Sequence, residues 1–296
     1  MTRWRYEYCP AKLNLFLQVT DRREDGYHNL ISLAGFTRFA DRLGICSATE
    51  DSITLSGAYA GALEQAGGDS IIRQLLHKLR DAGYEIPPLN ITLEKHIPLG
   101  GGLGGGSADG AGLLRALIRL NMIENTDEIN QIASMTGADL AVCIRPAFQM
   151  MRDTGAQLTP LMPPQDTVYC VLANPQIHLS TPQIFARLET DSMFSGVLET
   201  TKIQQMLSAG RWGEILAIGN NLTAPACGLA PEIDVLLSEM AQFGTEKLEA
   251  AYLGAAMSGS GASCFALLGT KQAADQLARH LGRLNFWSYS TELISG

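Results

Sequence analysis

The sequence predicts an α+β protein of two domains, and three observations carry that prediction. Strand patterns and amphipathic helix patterns both occur along the 296 residues. They do not alternate as regular βαβ units, which argues against a parallel α/β sheet. Proline and polar residues cluster at residues 159–166, a composition typical of a boundary between domains. We therefore expect an N-terminal domain over residues 1–163 and a C-terminal domain over residues 164–296.

The first long strand is predicted from apolar residues at every second position from 13 to 19. A break at Pro10 separates it from a shorter strand before it. Period 2 places Lys12 and Asn14 together on the opposite face. That face either is solvated or contributes to a site, and this stretch alone does not decide between the two.

Later elements follow from similar signals. A charged turn with an Asp-Gly step, residues 21–26, predicts a hairpin whose next strand covers residues 27–39. Tyr27 and His28 come directly after this turn, where such a pair is usually surface or local packing. Further strands are expected at residues 42–47, 53–56, 89–95, 168–173 and 286–293. Helices are expected at residues 70–81, with Asp69 as the cap, and at 126–135, 202–208, 212–219, 231–244 and 271–284.

Residues 97–112 form a glycine-rich loop in which eight of sixteen residues are glycine. A strand pattern precedes the loop, and a helix opened by Ser107 and Asp109 follows it. Backbone N–H groups and a helix N-terminus suit a phosphate, whereas a flexible linker lacks such flanks. The glycine spacing of a dinucleotide-binding fingerprint occurs here, but the βαβ unit that should surround it is missing. A P-loop needs a lysine after its last glycine, and here Ser107 follows Gly106. We therefore interpret the loop as a distinct anion cradle.

Composition limits the possible partners and location. The net charge is −8, and 46% of residues are hydrophobic and 18% charged, as in ordinary soluble proteins. Since no run of Lys or Arg occurs, we expect no nucleic-acid partner. The absence of an apolar leader or a long uninterrupted apolar stretch predicts a cytoplasmic protein without a membrane partner. The six cysteines and five histidines show no metal-ligand spacing, so no protein metal site is expected.

Three separated motifs resemble those of the GHMP kinase superfamily: residues 10–15 (PAKLNL), the glycine-rich loop at 98–107, and residues 256–261 (AMSGSG). Residues 21–30, 137–144, 173–185 and 219–226 resemble the branch that uses ATP to phosphorylate the 2-hydroxyl of 4-diphosphocytidyl-2-C-methyl-D-erythritol in non-mevalonate isoprenoid biosynthesis. The resemblance implies a two-domain GHMP kinase fold with the active site in the cleft between the domains. It also implies ATP and Mg2+ as cofactors, a small-molecule substrate, and a monomer or weak homodimer.

The resemblance also assigns roles to residues. Lys12 and Asp139 match the catalytic pair: Asp139 would accept the hydroxyl proton, and Lys12 would stabilise charge on the transferred phosphoryl group. The substrate contacts, which include an aromatic stack around cytosine, are matched by Asn14, Tyr27, His28, Thr181 and Phe185.

The second glycine loop, residues 258–261, either closes over the phosphates or packs between strands. Asp109 is assigned as a helix-end charge rather than a metal ligand. The ATP phosphates are assigned to Pro98, Leu99, Gly100, Gly101, Gly102, Leu103, Gly104, Gly105, Gly106, Ser107 and Ala108.

The chain departs from the family pattern at residues 108–110, 140–141, 153–156 and 220–223. Two alternatives therefore accompany the main prediction. One is a GHMP kinase for another small alcohol, against which the Tyr27-His28 pair argues because such substrates carry no cytosine. The other is a catalytically silent nucleotide-binding paralogue, against which retention of both Lys12 and Asp139 argues.

Overall fold

The computed structural model describes residues 4–188 and 193–295. Its strands are β1 (Arg5–Arg22), β2 (His28–Ser47), β3 (Ser52–Ser56), β4 (Leu89–Glu94), β5 (Gln149–Arg152), β6 (Gln157–Pro160), β7 (Tyr169–Asn174), β8 (Tyr252–Met257), β9 (Cys264–Leu268) and β10 (Trp287–Glu292). Its helices are α1 (Ala60–Gln65), α2 (Ser70–Asp81), α3 (Gly105–Arg119), α4 (Asp127–Thr136), α5 (Leu140–Ile144), α6 (Thr181–Ala186), α7 (Thr200–Ser208), α8 (Trp212–Ala217), α9 (Thr223–Leu229), α10 (Glu232–Phe243) and α11 (Lys271–Arg283). The predicted α+β class is confirmed.

Packing divides the described chain into two units whose segments alternate along the sequence. The first unit contains residues 4–11, 39–99 and 104–146, and the second contains residues 12–38, 100–103, 147–188 and 193–295. The long strands β1 and β2 contribute residues to both. The boundary expected between residues 163 and 164 stays a prediction of the sequence, as does the location of an active site in a cleft between domains.

In the first unit, the C-terminal part of β2 pairs antiparallel with β4, and β4 pairs parallel with β3. Helix α2 packs against α3 and α4, and α3 also packs against α5. The predicted cap of α2 is confirmed, because the Asp69 side chain accepts a hydrogen bond from the Ile72 N–H at 2.7 Å. Apolar residues at helical spacing, Ile72, Leu75 and Leu79, bury the inner face of this helix.

In the second unit, the N-terminal part of β2 pairs antiparallel with β5, which pairs with β6. A four-stranded antiparallel sheet follows in the order β10-β7-β9-β8, and helices α10 and α11 pack against it. One continuous apolar core joins this sheet and its helices to Leu17 and Val19 of β1. That core holds β1 at the position from which the site residues below project.

The predicted break at Pro10 is wrong, because β1 runs without interruption from Arg5 to Arg22. β1 pairs with β2 and lies off the main path of its sheet, where a residue without an N–H is tolerated. β2 is likewise one strand where two were predicted. Both faces of β1 are buried from Cys9 to Val19, so the face that carries Lys12 and Asn14 is not solvated.

Several elements were not predicted: the β5–β6 hairpin and the short helices α1 and α9. The segment after Asp139, expected to be strand-like or simply buried, is the helix α5. No helix in the part of the chain that the structure describes is long and apolar enough to cross a membrane.

Candidate active site

β1 carries the first two predicted site residues, Lys12 and Asn14, and buries both to 2% exposure. Lys12 Nζ donates a hydrogen bond to Asn14 Oδ1 at 2.8 Å. Asn14 Nδ2 donates to Ser32 Oγ at 2.8 Å, and Ser32 Oγ donates to the Phe16 carbonyl at 2.6 Å. These linked bonds define the orientation of the Asn14 amide and hold the Lys12 ammonium beside it.

The apex of the glycine-rich loop, residues 100–103, is fastened to β1 and to the second glycine loop. The Lys12 N–H donates to the Leu103 carbonyl at 2.9 Å, and the Ser263 N–H donates to the Gly101 carbonyl at 3.0 Å. Gly102 has φ +75°, and a Cβ at this position would lie 2.2 Å from the Ser258 carbonyl oxygen. Only glycine permits both this backbone conformation and this approach.

Ser258, in the second glycine loop, joins the glycine-rich loop to β1, the strand that carries Lys12. Its side chain is fully buried. Ser258 Oγ accepts a hydrogen bond from the Asn14 N–H at 3.2 Å and donates one to the Gly102 carbonyl at 2.9 Å. Two roles were left open for this loop, closing over the phosphates or packing between strands. These two bonds show that the loop packs against β1 and the glycine-rich loop.

Two asparagines in residues 220–223, a stretch that departs from the family pattern, bind the second glycine loop and β1. Asn220 Nδ2 donates to the carbonyls of Met257 and Gly259 at 3.0 and 2.8 Å. The Asn221 amide both accepts from the Val19 N–H and donates to the Val19 carbonyl, at 3.0 and 3.1 Å. A carboxylate has no donor for these carbonyls, so the amides suit the bonds that this chain makes here. The sequence patterns did not single them out as structural.

Helix α3 starts two residues earlier than predicted, at Gly105, because Gly104 adopts a left-handed conformation that begins the helix. Its first intrahelical hydrogen bond runs from the Ala108 N–H to the Gly104 carbonyl at 2.8 Å. The N–H groups of the preceding first turn therefore have no acceptor within the helix. Ser107 lies in that turn, and the binding of an anion there stays a prediction.

Asp109 is not the helix-end charge that was expected, because its side chain is fully buried. Lys95 Nζ donates to Asp109 Oδ2 and to Asp41 Oδ2, both at 2.5 Å. The sequence offered no signal for this pairing, since the three residues come from β2, the end of β4 and α3. Asp109 Oδ1 has no hydrogen-bond partner among the described residues.

The electrostatics of this cluster follow from its burial. Burial raises the pKa of Asp109 well above its ordinary value, although the Lys95 ammonium opposes that effect. Burial would lower the pKa of Lys95, but Asp109 and Asp41 more than offset it and raise the pKa. Lys95 is therefore a permanent cation at neutral pH, and its charge is shared between two carboxylates.

Asp139 lies half-buried immediately before α5, and its side chain makes no capping hydrogen bond to that helix as the structure describes it. The segment is held by the packing of Leu140 over Gly110 of α3, where a Cβ would lie 2.8 Å from the Leu140 side chain. A Cβ on Gly137 would lie 3.4 Å from Ser107 Oγ. The turn that carries Asp139 is therefore beside the first turn of α3, as the assignment required. The direct pairing of Asp139 with Lys12 stays a prediction.

Three of the residues assigned to the acceptor, His28, Phe185 and Thr181, make side-chain contacts in the second unit. The rings of His28 and Phe185 lie 4.8 Å apart between centroids with an interplanar angle of 35°. Thr181 Oγ1 is 2.8 Å from Ser260 Oγ of the second glycine loop. Tyr27 is 67% exposed, so its ring surface is open to a ligand.

Charged residues hold the turn that precedes His28. Arg23 forms ion pairs with Asp25 at 3.1 Å and with Asp153 at 2.8 Å. Asp25 also accepts from the Tyr27 N–H at 3.1 Å. Partial burial lowers the pKa of His28, so its imidazole is neutral at pH 7. Asp153, a departure from the family pattern, thus has a partner of its own in this chain.

The structure also bears on metal binding. Within residues 4–188 and 193–295, no three His, Cys, Asp or Glu side chains are grouped so that they could hold a metal ion. The expectation of no dedicated protein metal site stays a prediction.

Comparisons with family models and with individual proteins point to the same family. The model of the GHMP kinases N terminal domain matches residues 70–145, and that of the GHMP kinases C terminal domain matches residues 203–285. A 4-diphosphocytidyl-2-C-methyl-D-erythritol kinase of Rhizobium johnstonii is 36% identical over 296 aligned residues, which cover 98% of this chain and 93% of the relative.

Solved structures extend the comparison. A crystal structure of 4-(cytidine 5'-diphospho)-2C-methyl-D-erythritol kinase superposes with a TM-score of 0.78 at 30% identity, covering 99% of this chain and all of that one. Homoserine kinase from Cytophaga hutchinsonii gives a TM-score of 0.63 at 18% identity, covering 98% and 94% of the two chains. The latter similarity concerns the fold alone.

Proposed function

The chain belongs to the 4-diphosphocytidyl-2-C-methyl-D-erythritol kinase family of the GHMP kinases, and from this premise we propose the reaction that it catalyses. It transfers the γ-phosphoryl group of ATP to the 2-hydroxyl of 4-diphosphocytidyl-2-C-methyl-D-erythritol in non-mevalonate isoprenoid biosynthesis. The family, the GHMP kinase fold and the kinase activity are as the motifs predicted.

The His28–Phe185 ring pair is the observation that favours this acceptor over another small alcohol. A cytosine base presents a flat aromatic face, and aromatic side chains bind such faces by stacking. The exposed ring of Tyr27, the residue before His28, offers a further surface for stacking. An acceptor without a nucleobase has no use for these rings.

We assign the phosphates of ATP to residues 98–108. The first turn of α3, whose N–H groups have no acceptor within the helix, fits a ligand that is bound by backbone N–H groups. Mg2+, when bound with ATP, neutralises phosphate charge during transfer. We assign it no protein ligand.

Lys12 and Asp139 are the proposed catalytic pair. Asp139 accepts the proton of the acceptor hydroxyl, and the Lys12 ammonium stabilises negative charge as the phosphoryl group moves. The bond from Lys12 to Asn14 supports this role, because it holds the ammonium in one place before substrate binds. Asn14 and Thr181 are proposed as contacts to the methylerythritol hydroxyls.

Steady-state release of ADP from the purified chain with MgATP, with and without the acceptor, tests the proposal. We expect acceptor-dependent turnover and a product heavier by one phosphoryl group. Competition by CMP against the acceptor, but not against ATP, would separate this substrate from other alcohols. ATP binding without turnover on any acceptor would instead identify a silent paralogue.

Three further proposals come from the sequence and the family alone. They are a cytoplasmic location, a monomeric or weakly dimeric state, and the absence of a nucleic-acid partner. Sedimentation of the purified chain across a range of concentrations tests the second of them.

A further inference from the structure

The buried cluster of Lys95, Asp41 and Asp109, called here the Lys95 cluster, takes no part in the chemistry proposed above. Its members are 2%, 0% and 0% exposed. Burying three charged side chains is unfavourable unless each is well paired. The cluster also lies at the two chain segments that flank the glycine-rich loop, which suggests a role in organising that loop.

The segment that enters the loop is held by Asp41. Its Oδ1 accepts hydrogen bonds from the N–H groups of His96 and Ile97, at 2.5 and 2.8 Å. These two residues directly precede Pro98, where the loop begins. The Asp41 carboxylate therefore orients the backbone just before the loop.

The segment that leaves the loop is held by Lys95. Its Nζ binds Asp109 Oδ2, in the second turn of α3, and lies 3.0 Å from the place that a Cβ on Gly105 would occupy. The same Nζ binds Asp41 Oδ2. One ammonium thus connects the entrance of the loop to the helix at its exit.

We infer that Lys95 is a positioning residue for nucleotide binding, which joins both flanks of the glycine-rich loop so that its N–H groups are arranged before ATP arrives. A glycine-rich segment loses much conformational freedom when it is ordered. Fixing its flanks in advance reduces the part of that cost that ATP binding must offset. The ammonium also offsets part of the negative charge of two carboxylates, which would otherwise repel phosphate at the first turn of α3.

The inference rests on the proposed function and is tested by nucleotide binding alone. We would measure the Kd of MgATP by titration calorimetry on the full chain, and the Kd of CMP as a probe of the acceptor side. Lys95→Met removes the charge and keeps the length of the side chain. We expect MgATP binding at least tenfold weaker, with CMP binding within twofold of the unmutated chain.

Arg115→Met is the matched control, because it removes a different cation, which lies on α3 with its side chain 13% exposed. Arg115 pairs with Glu7 at 3.3 Å and donates to the carbonyls of Tyr8 and Cys143 at 2.6 and 2.8 Å. We expect it to lower Tm while MgATP affinity stays within twofold. Equal losses of MgATP affinity in both variants would overturn the inference, since they would reflect destabilisation of α3 in general.

Asp109→Asn provides the test if Lys95→Met does not fold, because the amide keeps the shape of the carboxylate but removes the charge that pairs with Lys95. Hydrogen exchange of the amides at residues 97–108 is then followed without nucleotide. We expect faster exchange there than in the unmutated chain, and weaker MgATP binding. Unchanged exchange and unchanged affinity would overturn the inference. Failure of the unmutated chain to bind MgATP would count against the proposed function instead.

Discussion

Replacing Gly102 with alanine tests whether the packing of the two glycine loops is needed for ATP binding. An alanine Cβ would lie 2.2 Å from the Ser258 carbonyl oxygen, whereas real Cβ atoms stay at least 3.0 Å from such neighbours. The loops would therefore have to separate by at least 0.8 Å, the difference between these distances. That movement also stretches the bond from Ser258 Oγ to the Gly102 carbonyl, now 2.9 Å long.

The magnitude follows from two contributions. A residue with a Cβ in the left-handed region costs about 1–2 kcal/mol, and a lost hydrogen bond costs about 0.5–1.5 kcal/mol. Together they disfavour the present loop conformation by about 1.5–3.5 kcal/mol. Since 1.4 kcal/mol is a factor of ten, we expect kcat/KM for MgATP to fall roughly 10- to 300-fold.

The assay is steady-state ADP release at saturating acceptor, with Gly210→Ala as the control. Gly210 has a similar φ of +63°, but its nearest neighbour to an added Cβ is an ordinary 3.8 Å away. The control should lose about 1–2 kcal/mol of unfolding free energy and keep its kcat/KM for MgATP. A Gly102→Ala variant with kcat/KM within threefold of the unmutated chain would refute the argument that the loops must touch.

Three further predictions concern the catalytic base and the acceptor. Asp139→Ala should nearly abolish turnover while MgATP binds with unchanged Kd, because the carboxylate acts on the hydroxyl proton; calorimetry and ADP release check this. His28→Ala should raise the acceptor KM at least tenfold and the MgATP KM less than twofold, because it removes one stacked ring. The acceptor KM should stay constant from pH 8 to about 6.5. It should rise at lower pH, where the His28 imidazole becomes protonated, because burial lowers the pKa of His28.

The outcomes that would contradict these predictions differ. Turnover by Asp139→Ala at the rate of the unmutated chain would remove the base assignment. Equal rises of both KM values in His28→Ala would place the cytosine site elsewhere. For pH, the unfolded chain takes up the His28 proton first as the pH falls, so stability should decline in the same window. A pH profile of the acceptor KM that is unchanged in His28→Ala would assign the titration to another group.

Many helices and strands could be predicted from signals within their own segments of the sequence. The helix at residues 70–81 was predicted to the residue, because its cap, its apolar spacing and its stop all lie within the segment itself. The break predicted at Pro10 failed because tolerance of proline depends on where a strand lies in its sheet, and the sequence does not show this. Likewise, β1 is apolar on alternate positions, yet both of its faces are buried.

Some residues of the candidate site could be predicted from sequence, and others could not, for similar reasons. The motifs at Lys12, the glycine-rich loop and Asp139 could be recognised in sequence, because each requires particular residues at fixed local spacing. The Lys95 cluster could not, since Lys95 is 54 positions from Asp41 and 14 positions from Asp109 along the chain. Asp109 in particular was assigned to a helix end because its partner, Lys95, is unremarkable in sequence. Pairings of this kind are determined by tertiary structure alone.

The bond between Gly102 and Ser258 also has a consequence for synthesis of the chain, because its partners are 156 residues apart. At about 5–20 residues per second, a ribosome releases the glycine-rich loop roughly 8–30 s before it reaches Ser258. During this interval the loop lacks the neighbour that holds its apex. We therefore expect ATP to bind the nascent chain through this loop only after Ser258 has been synthesised.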